Sequence, residues 1–254
     1  MNGLFETIFY QPILNLLVFL YNTFGDLGVA IIFLTLIIKV ILLPLSKKSI
    51  KSQKALQDLQ PKIDELKKKF KNDKQAMSLA LMALYKENKV NPFSSCLPLL
   101  IQLPFFIAIF KVFQDGFAQN HLDLLYPFVN NPEVINTVSL GFFELSERSI
   151  VLALLAGAAQ FWQGKMMMSK KPEIKTEGSK DENMMAIMNK QMMYIMPGIT
   201  VLIGVSFPAG LTFYWFLTTL FTVFQQKLVF HKSKKSESKE NIVKVVEEKT
   251  GSER

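Results

Sequence analysis

Five blocks of apolar residues, separated by blocks of charge, constrain this chain more than any other feature. They run from Leu27 to Leu45, Phe93 to Phe113, Ile150 to Met168, Met192 to Phe207 and Leu211 to Phe230. Most reach the roughly 18 to 20 residues that a helix needs to cross a bilayer core. The average composition carries little weight, because half of the residues are hydrophobic and soluble domains come close to that. The segregation carries the argument. The expected fold is an all-α polytopic membrane protein with five transmembrane helices. Only Pro208-Ala209-Gly210 separates the last two blocks, a short turn that makes them an antiparallel pair.

The lysines set the expected orientation. Residues 46–92 hold 12 Lys against 5 acids, and residues 165–190 hold 6 Lys against 4 acids. Residues 227–254 carry 8 basic groups, whereas residues 114–149 carry one, Arg148, against 5 acids. Basic loops favour the cytoplasm, so the N-terminus is expected outside and the C-terminus inside. The net charge of +8 therefore points to a membrane surface before nucleic acid, and no DNA partner is expected. No basic n-region with a small-residue cleavage site opens the chain, so the bacterial cytoplasmic membrane is the expected address. Cys96 is the only cysteine, so an intrachain disulfide is excluded.

Three further segments complete the expected organisation. Residues 1–26 are apolar but interrupted by Glu6, Gln11, Pro12, Asn15 and Asn22. They read as an N-terminal amphipathic helix lying in the extracytoplasmic interface, with a tilted span as the alternative. The core, residues 27–230, includes segment 46–92, where Leu56, Leu59, Ile63, Leu66 and Phe70 recur at steps of 3 and 4. A second seam follows at Met77, Leu81 and Leu84, so the segment is expected as a cytoplasmic helical hairpin. Pro61 should kink or break its first arm. Residues 231–254 form a basic tail expected to be largely disordered.

Lys39 is the most informative single residue. It lies within an expected span, and none of the five spans holds an Asp or Glu to pair with it. A cation deep in hydrocarbon costs about 2.5 to 3.5 kcal/mol on insertion scales. Two readings fit: Lys39 snorkels to the cytoplasmic interface, or it faces a wet recess between helices. Thr35, one turn earlier on the same face, favours the recess. Gln102 lies mid-span and needs a partner or water, and Gln160 and Gln163 share a helical face. Each glutamine alone could join helices; with Lys39 they suggest a polar groove in an apolar bundle. Gln225 and Gln226 read as plain interfacial residues. No GxxxxGK[ST] loop, HExxH or GxSxG occurs, and His121 and His231 stand apart. No catalytic residue, cofactor, metal or small-molecule substrate is expected.

Three stretches carry a resemblance. TLIIKVILLPLSKKSIKSQKALQDLQPKI (35–63), LYKENKVNPFSSCLPLLIQLPFF (84–106) and FPAGLTFYWFLTTLFTVFQQKLV (207–229) resemble, in that order, the signatures of the YidC family of membrane insertases, with its mitochondrial and chloroplast relatives. The resemblance implies a five-helix core around a hydrophilic groove open to cytoplasm and lipid. It also implies insertion and folding of nascent integral membrane proteins without nucleotide hydrolysis. The family's groove charge, usually arginine, falls on Lys39, which keeps the charge but lacks the planar fork that holds a carboxylate twice. Other groove positions match Thr35, Gln160 or Gln163, and Trp215. Ser95 and Thr219 depart from the usual glycine and asparagine. The expected partners are nascent membrane proteins and membrane lipid, with a ribosome and a Sec-type translocon as open alternatives. A small transporter is the chief rival reading, but neither internal repeats nor a counter-ion for Lys39 is visible. A scaffold whose hairpin only recruits partners leaves Lys39 and Gln102 without a role.

Overall fold

The computed structural model describes residues 3–71, 73–91, 97–114, 124–167 and 191–251. A π-helical segment, Glu6–Tyr10, runs directly into α1 (Gln11–Phe24), with Pro12, which has no N–H to continue the ladder, at the junction. Gly25, at φ +69°, closes α1 by donating its N–H to the Tyr21 carbonyl, a left-handed cap that glycine adopts without strain. Asp26 follows at once as N-cap of α2 (Leu27–Ile41), accepting from Val29 N at 3.0 Å. Two helices are thus joined by two residues of opposite capping chemistry.

The expected first span reaches Leu45, yet α2 ends at Ile41 and a new helix, α3 (Leu43–Lys69), leaves it at 69°. Pro44 explains the break: it cannot continue the ladder of α2 but fits the first turn of α3. Pro61 does not break α3, which runs through it to Lys69. The lost N–H falls on a half-buried turn, with Gln60 donating to Asp64 alongside. Asp73 caps α4 (Lys74–Glu87), accepting from Ala76 N at 2.9 Å, and α4 touches α3 without burying any residue fully.

Next come α5 (Leu97–Gln114), a two-stranded hairpin of β1 (Val138–Ser139) and β2 (Phe143–Glu144), and α6 (Ile150–Met167). The strands are antiparallel, with Val138 opposite Glu144 and Ser139 opposite Phe143. A π-helical stretch, Gln191–Ile195, leads into the short α7 (Met196–Gly204), and α8 spans Ala209–Gly251. The helical path of α8 beyond His231 differs from the disorder expected of the tail. Residues 232–250 contain no Pro or Gly and are rich in Lys and Glu, which suits a helix. Residues 92–96 and 168–190, and with them Ser95, Cys96 and Met168, lie outside the described residues.

α6 packs on both α7 and α8 through small residues. Ala153, Ala156, Gly157 and Ala159 are turned inward, and a Cβ added to Gly204 would lie 2.9 Å from that of Ala153. Small residues let helix backbones approach closely where apolar burial gives little drive. α8 also packs on α2, α3 and α5. The largest apolar core joins α1, α2, α5, the 124–145 loop and the start of α8.

The outside of the bundle is apolar. Ile32, Phe33, Val40 and Ile41 on α2, Ile150, Val151 and Leu154 on α6, and Leu202 on α7 are all exposed. An apolar surface of this extent needs something other than water against it. Among the described residues no single helix is long and apolar enough to cross a membrane, although α2 and the bent α3 reach that measure together. α2 alone, with 15 residues, extends about 22 Å at 1.5 Å per residue.

Asp26 ties these parts together, because it also accepts from Ser139 Oγ at 2.6 Å and Leu140 N at 2.7 Å. Partial burial raises its carboxyl pKa, but hydrogen bonds from Leu140, Ser139, Val29 and Gly28 outweigh that and hold it below the ordinary 3.8. A lowered folded pKa stabilises the fold above the unfolded value, and the contribution fades as pH falls through the folded one. Asp26→Ala is therefore expected to cost about 1 kcal/mol at neutral pH, measured by thermal unfolding in detergent. The difference from wild type should shrink below pH 4; a constant difference would count against the charged cap.

Candidate functional site

Within the bundle the packing reverses the usual arrangement along two helices that advance in step. The buried face of α2 is apolar at Leu27, Ala30, Ile31 and Leu34, then turns polar at Thr35 and Lys39. The buried face of α8 begins with Ala209, Leu211 and Thr212, whose hydroxyl is taken up by the Gly204 carbonyl, then presents Tyr214, Thr218, Thr219, Gln225 and Gln226. Positions 218, 222 and 225 lie on one side by helical spacing. Lys39 is 6% exposed and its Nζ donates to Thr222 Oγ1 at 3.0 Å. Thr222 in turn donates to the Thr218 carbonyl at 2.8 Å. No carboxylate among the described residues forms an ion pair with Lys39.

The structure distributes the six expected site residues over three places. Thr35 is buried on α2, donates to its own Ile31 carbonyl at 2.7 Å, and lines a recess of about 240 Å³. Ile32, Leu36, Leu217, Leu220, Phe221 and Phe224 form the remaining walls, so the recess is an apolar cleft between α2 and α8 beside the lysine. Gln102, on α5, donates to the buried Tyr214 hydroxyl of α8. Trp215, one residue on, meets Phe106 of α5 edge to face at 5.3 Å. Gln160, on α6, accepts from Thr200 Oγ1 of α7 at 3.0 Å. Gln163 sits half-buried near the end of α6.

Sequence reasoning missed the α8 file that receives these groups. Gln225 and Gln226, expected at the interface, are instead 6% and 2% exposed. Gln226 Nε2 donates to Met167 Sδ at 3.4 Å, while Gln226 Oε1 and Gln225 Nε2 find no partner among the described residues. Ser49 and Gln53, one turn apart on α3, are buried as well. The missed signal was the polar spacing 218, 222, 225, which a search for isolated charges passes over. Among the described residues no cluster of His, Cys, Asp or Glu has the grouping to hold a metal ion.

An apolar exterior around buried polar side chains defines the class as a helical membrane-protein bundle. Comparison with known proteins narrows this. The family model described as 60Kd inner membrane protein matches residues 19–237. A membrane protein insertase YidC of Fusobacterium nucleatum subsp. nucleatum is 35% identical over 227 residues, covering 88% of this chain and 97% of that one. One from Oceanobacillus iheyensis is 34% identical, with 90% and 84% covered. One from Geotalea daltonii is 37% identical over 86% of this chain, but only 36% of the relative is spanned. A crystal structure of an active YidC insertase superposes with a TM-score of 0.56 at 26% identity, over 87% of this chain and 46% of that one. The chain belongs to the YidC family of membrane protein insertases, the 60Kd inner membrane protein family.

The Gln102–Tyr214 contact is a testable unit. Tyr214→Phe leaves a half-buried amide without its acceptor and should destabilise the protein by about 1 to 3 kcal/mol. Gln102→Leu added to Tyr214→Phe should recover part of that loss. Thermal unfolding in detergent of Tyr214→Phe, Gln102→Leu and the double variant checks it, and strictly additive losses would show that the two groups are not coupled.

Proposed function

We propose that this chain inserts integral membrane proteins as a five-span insertase, and that Lys39 is the charge its substrates meet. The carrying observation is a buried ammonium whose described partner is a neutral hydroxyl, Thr222 Oγ1 at 3.0 Å. An ammonium has three donors; the other two remain for water or for a substrate carboxylate. The core, residues 27–230, does the work, with residues 1–26 lying along the outer interface. Segment 46–92 extends into the cytoplasm, and the basic tail 231–254 anchors that side. The lysine distribution between apolar blocks supports this orientation.

The physical task is to move a short polar tail past hydrocarbon. A substrate helix is apolar enough to enter lipid, at tens of cal/mol per Å² buried, so nucleotide hydrolysis is not required. Its tail is the barrier. In this reading Lys39, Thr35, Gln102, Gln160, Gln163 and Trp215 line or edge a hydrophilic groove that shortens the dry path. The cation attracts an acidic tail transiently, and the apolar core of α1, α2 and α5 closes the far side. The α2–α8 cleft, walled by Ile32, Leu217 and Phe221, gives the substrate helix an apolar exit to lipid.

Insertion of a short single-span substrate with an acidic tail into proteoliposomes tests the proposal. Lys39→Arg should retain activity, whereas Lys39→Ala and Lys39→Glu should lose roughly tenfold, equivalent to about 1.4 kcal/mol of lost attraction. Equal insertion by Lys39→Ala and wild type at equal protein levels would remove the charge from the mechanism.

A further inference from the structure

The loop before α6 carries a feature that the insertion groove does not use. β1 and β2 meet in a turn, Ser139-Leu140-Gly141-Phe142, closed by Phe142 N donating to the Ser139 carbonyl at 3.2 Å. Its two central residues have positive φ, +53° at Leu140 and +80° at Gly141. This is the turn that Asn-Gly or Gly-Gly normally fills, because a side chain with a full Cβ is disfavoured there. Leu140 bears that strain while 64% exposed, and Phe142 beside it is 70% exposed. Strain held in place without burial in return marks a segment whose benefit lies in contact with something else. The Phe142 and Phe143 rings, 4.5 Å apart, make the tip broad and aromatic.

The tip is held rigidly. Asp26 binds both Ser139 and the Leu140 N–H, and a Cβ on Gly28 would lie only 2.9 Å from that of Ser139. Further back, Asn15 binds the Leu124 carbonyl and the Tyr126 N–H, Asn22 the Asn130 carbonyl, and Tyr21 the Asn136 N–H. The polar residues that interrupt α1 thus clamp the loop. The clamp sets Leu140 beside the N-cap of α2, and close by in the chain Phe24, the last residue of α1, stacks on Phe33 of α2 at 4.5 Å, both exposed. From there the exposed apolar flank of α2 continues through Ile32.

We propose that the 138–144 hairpin is a lipid-seated wedge, with Leu140, Phe142 and Phe143 entering the acyl-chain boundary of the leaflet at the α1–α2 junction. The occupant is membrane lipid because the tip continues an apolar flank already on a chain of a membrane-protein family. Residues 133–147 hold Glu133, Glu144 and Glu147 and no Lys or Arg, so the surface it fits is zwitterionic rather than anionic. Ser146 hydrogen-bonds Glu144 through both N and Oγ, keeping that carboxylate turned back toward the loop. Naming this leaflet as the outer one rests on the orientation proposed above. The seating of the tip in lipid does not.

The test places a single cysteine at Phe142, or at Glu133 as control, in full-length Cys96→Ser protein, labels each with an environment-sensitive fluorophore and reconstitutes it in phosphatidylcholine. Lipids brominated along the chain in both leaflets serve as quencher, so the reading is independent of orientation and of insertion activity. Quenching at 142 several-fold above that at 133, with weaker quenching by aqueous iodide, supports the wedge. Equal quenching at the two positions would overturn it. Protection from iodide without bromolipid quenching would also overturn it, in favour of a protein contact. As a second variant, Leu140→Asn suits the turn better; unfolding in detergent no earlier than wild type, with reduced bromolipid quenching at 142, is expected. Earlier unfolding with undiminished quenching would contradict the proposal.

Discussion

The contact between Lys39 on α2 and Thr222 on α8, at 3.0 Å, is the constraint around which the bundle is arranged. A neutral hydroxyl does not repay the removal of an ammonium from water, and deep cations persist where partners or solvent reach them. Every neighbouring choice accommodates this one charge. α8 places threonines and glutamines, not leucines, on the face that continues past Lys39, and α3 adds Ser49 and Gln53. α2 itself stops two residues after Lys39, at Ile41, and its 69° break into α3 turns the chain away where the polar interior begins.

The opposite end of the same helices is built on another principle. There the core is continuous and apolar, from Tyr10 and Leu14 through Leu27 and Ile31 to Val112, Leu211 and Tyr214. It is covered by a loop whose backbone groups are met by side chains of α1 and by Asp26. Polar side chains here, Asn15 and Asp26 among them, are each met by several hydrogen bonds, most of them to backbone. A sealed end and a polar end in one bundle give the interior a direction. That asymmetry is what the proposed one-sided groove requires.

Much of this was legible in the sequence, and the rest was not for identifiable reasons. The apolar block from Leu27 announced α2, though not its end at Ile41. Lys39 stood out because one unpaired charge in an apolar run is conspicuous. Thr222 could not be identified as the partner of Lys39, because nothing local reports a contact across 183 positions. Asn15 and Asn22 looked like flaws in an interfacial helix; their role appeared only once the loop was seen to need donors and acceptors. Pro61 was expected to kink or break its helix, yet it sits inside a continuous one, whereas Pro44 starts one. Tertiary packing of the surrounding turns decided between them.

Access of water to the interior beside Lys39 is the decisive quantity. In full-length protein lacking Cys96, Thr222→Cys and Leu34→Cys can be compared in inverted membrane vesicles with a membrane-impermeant maleimide. Thr222 lies on the polar side of the α2–α8 interface, and Leu34 lies in the apolar core with no exposed surface. A groove open to the cytoplasm requires fast labelling at 222 and almost none at 34. Labelling at 222 as slow as at 34 would mean that Lys39 is enclosed in a dry interface, and that its charge serves packing rather than passage.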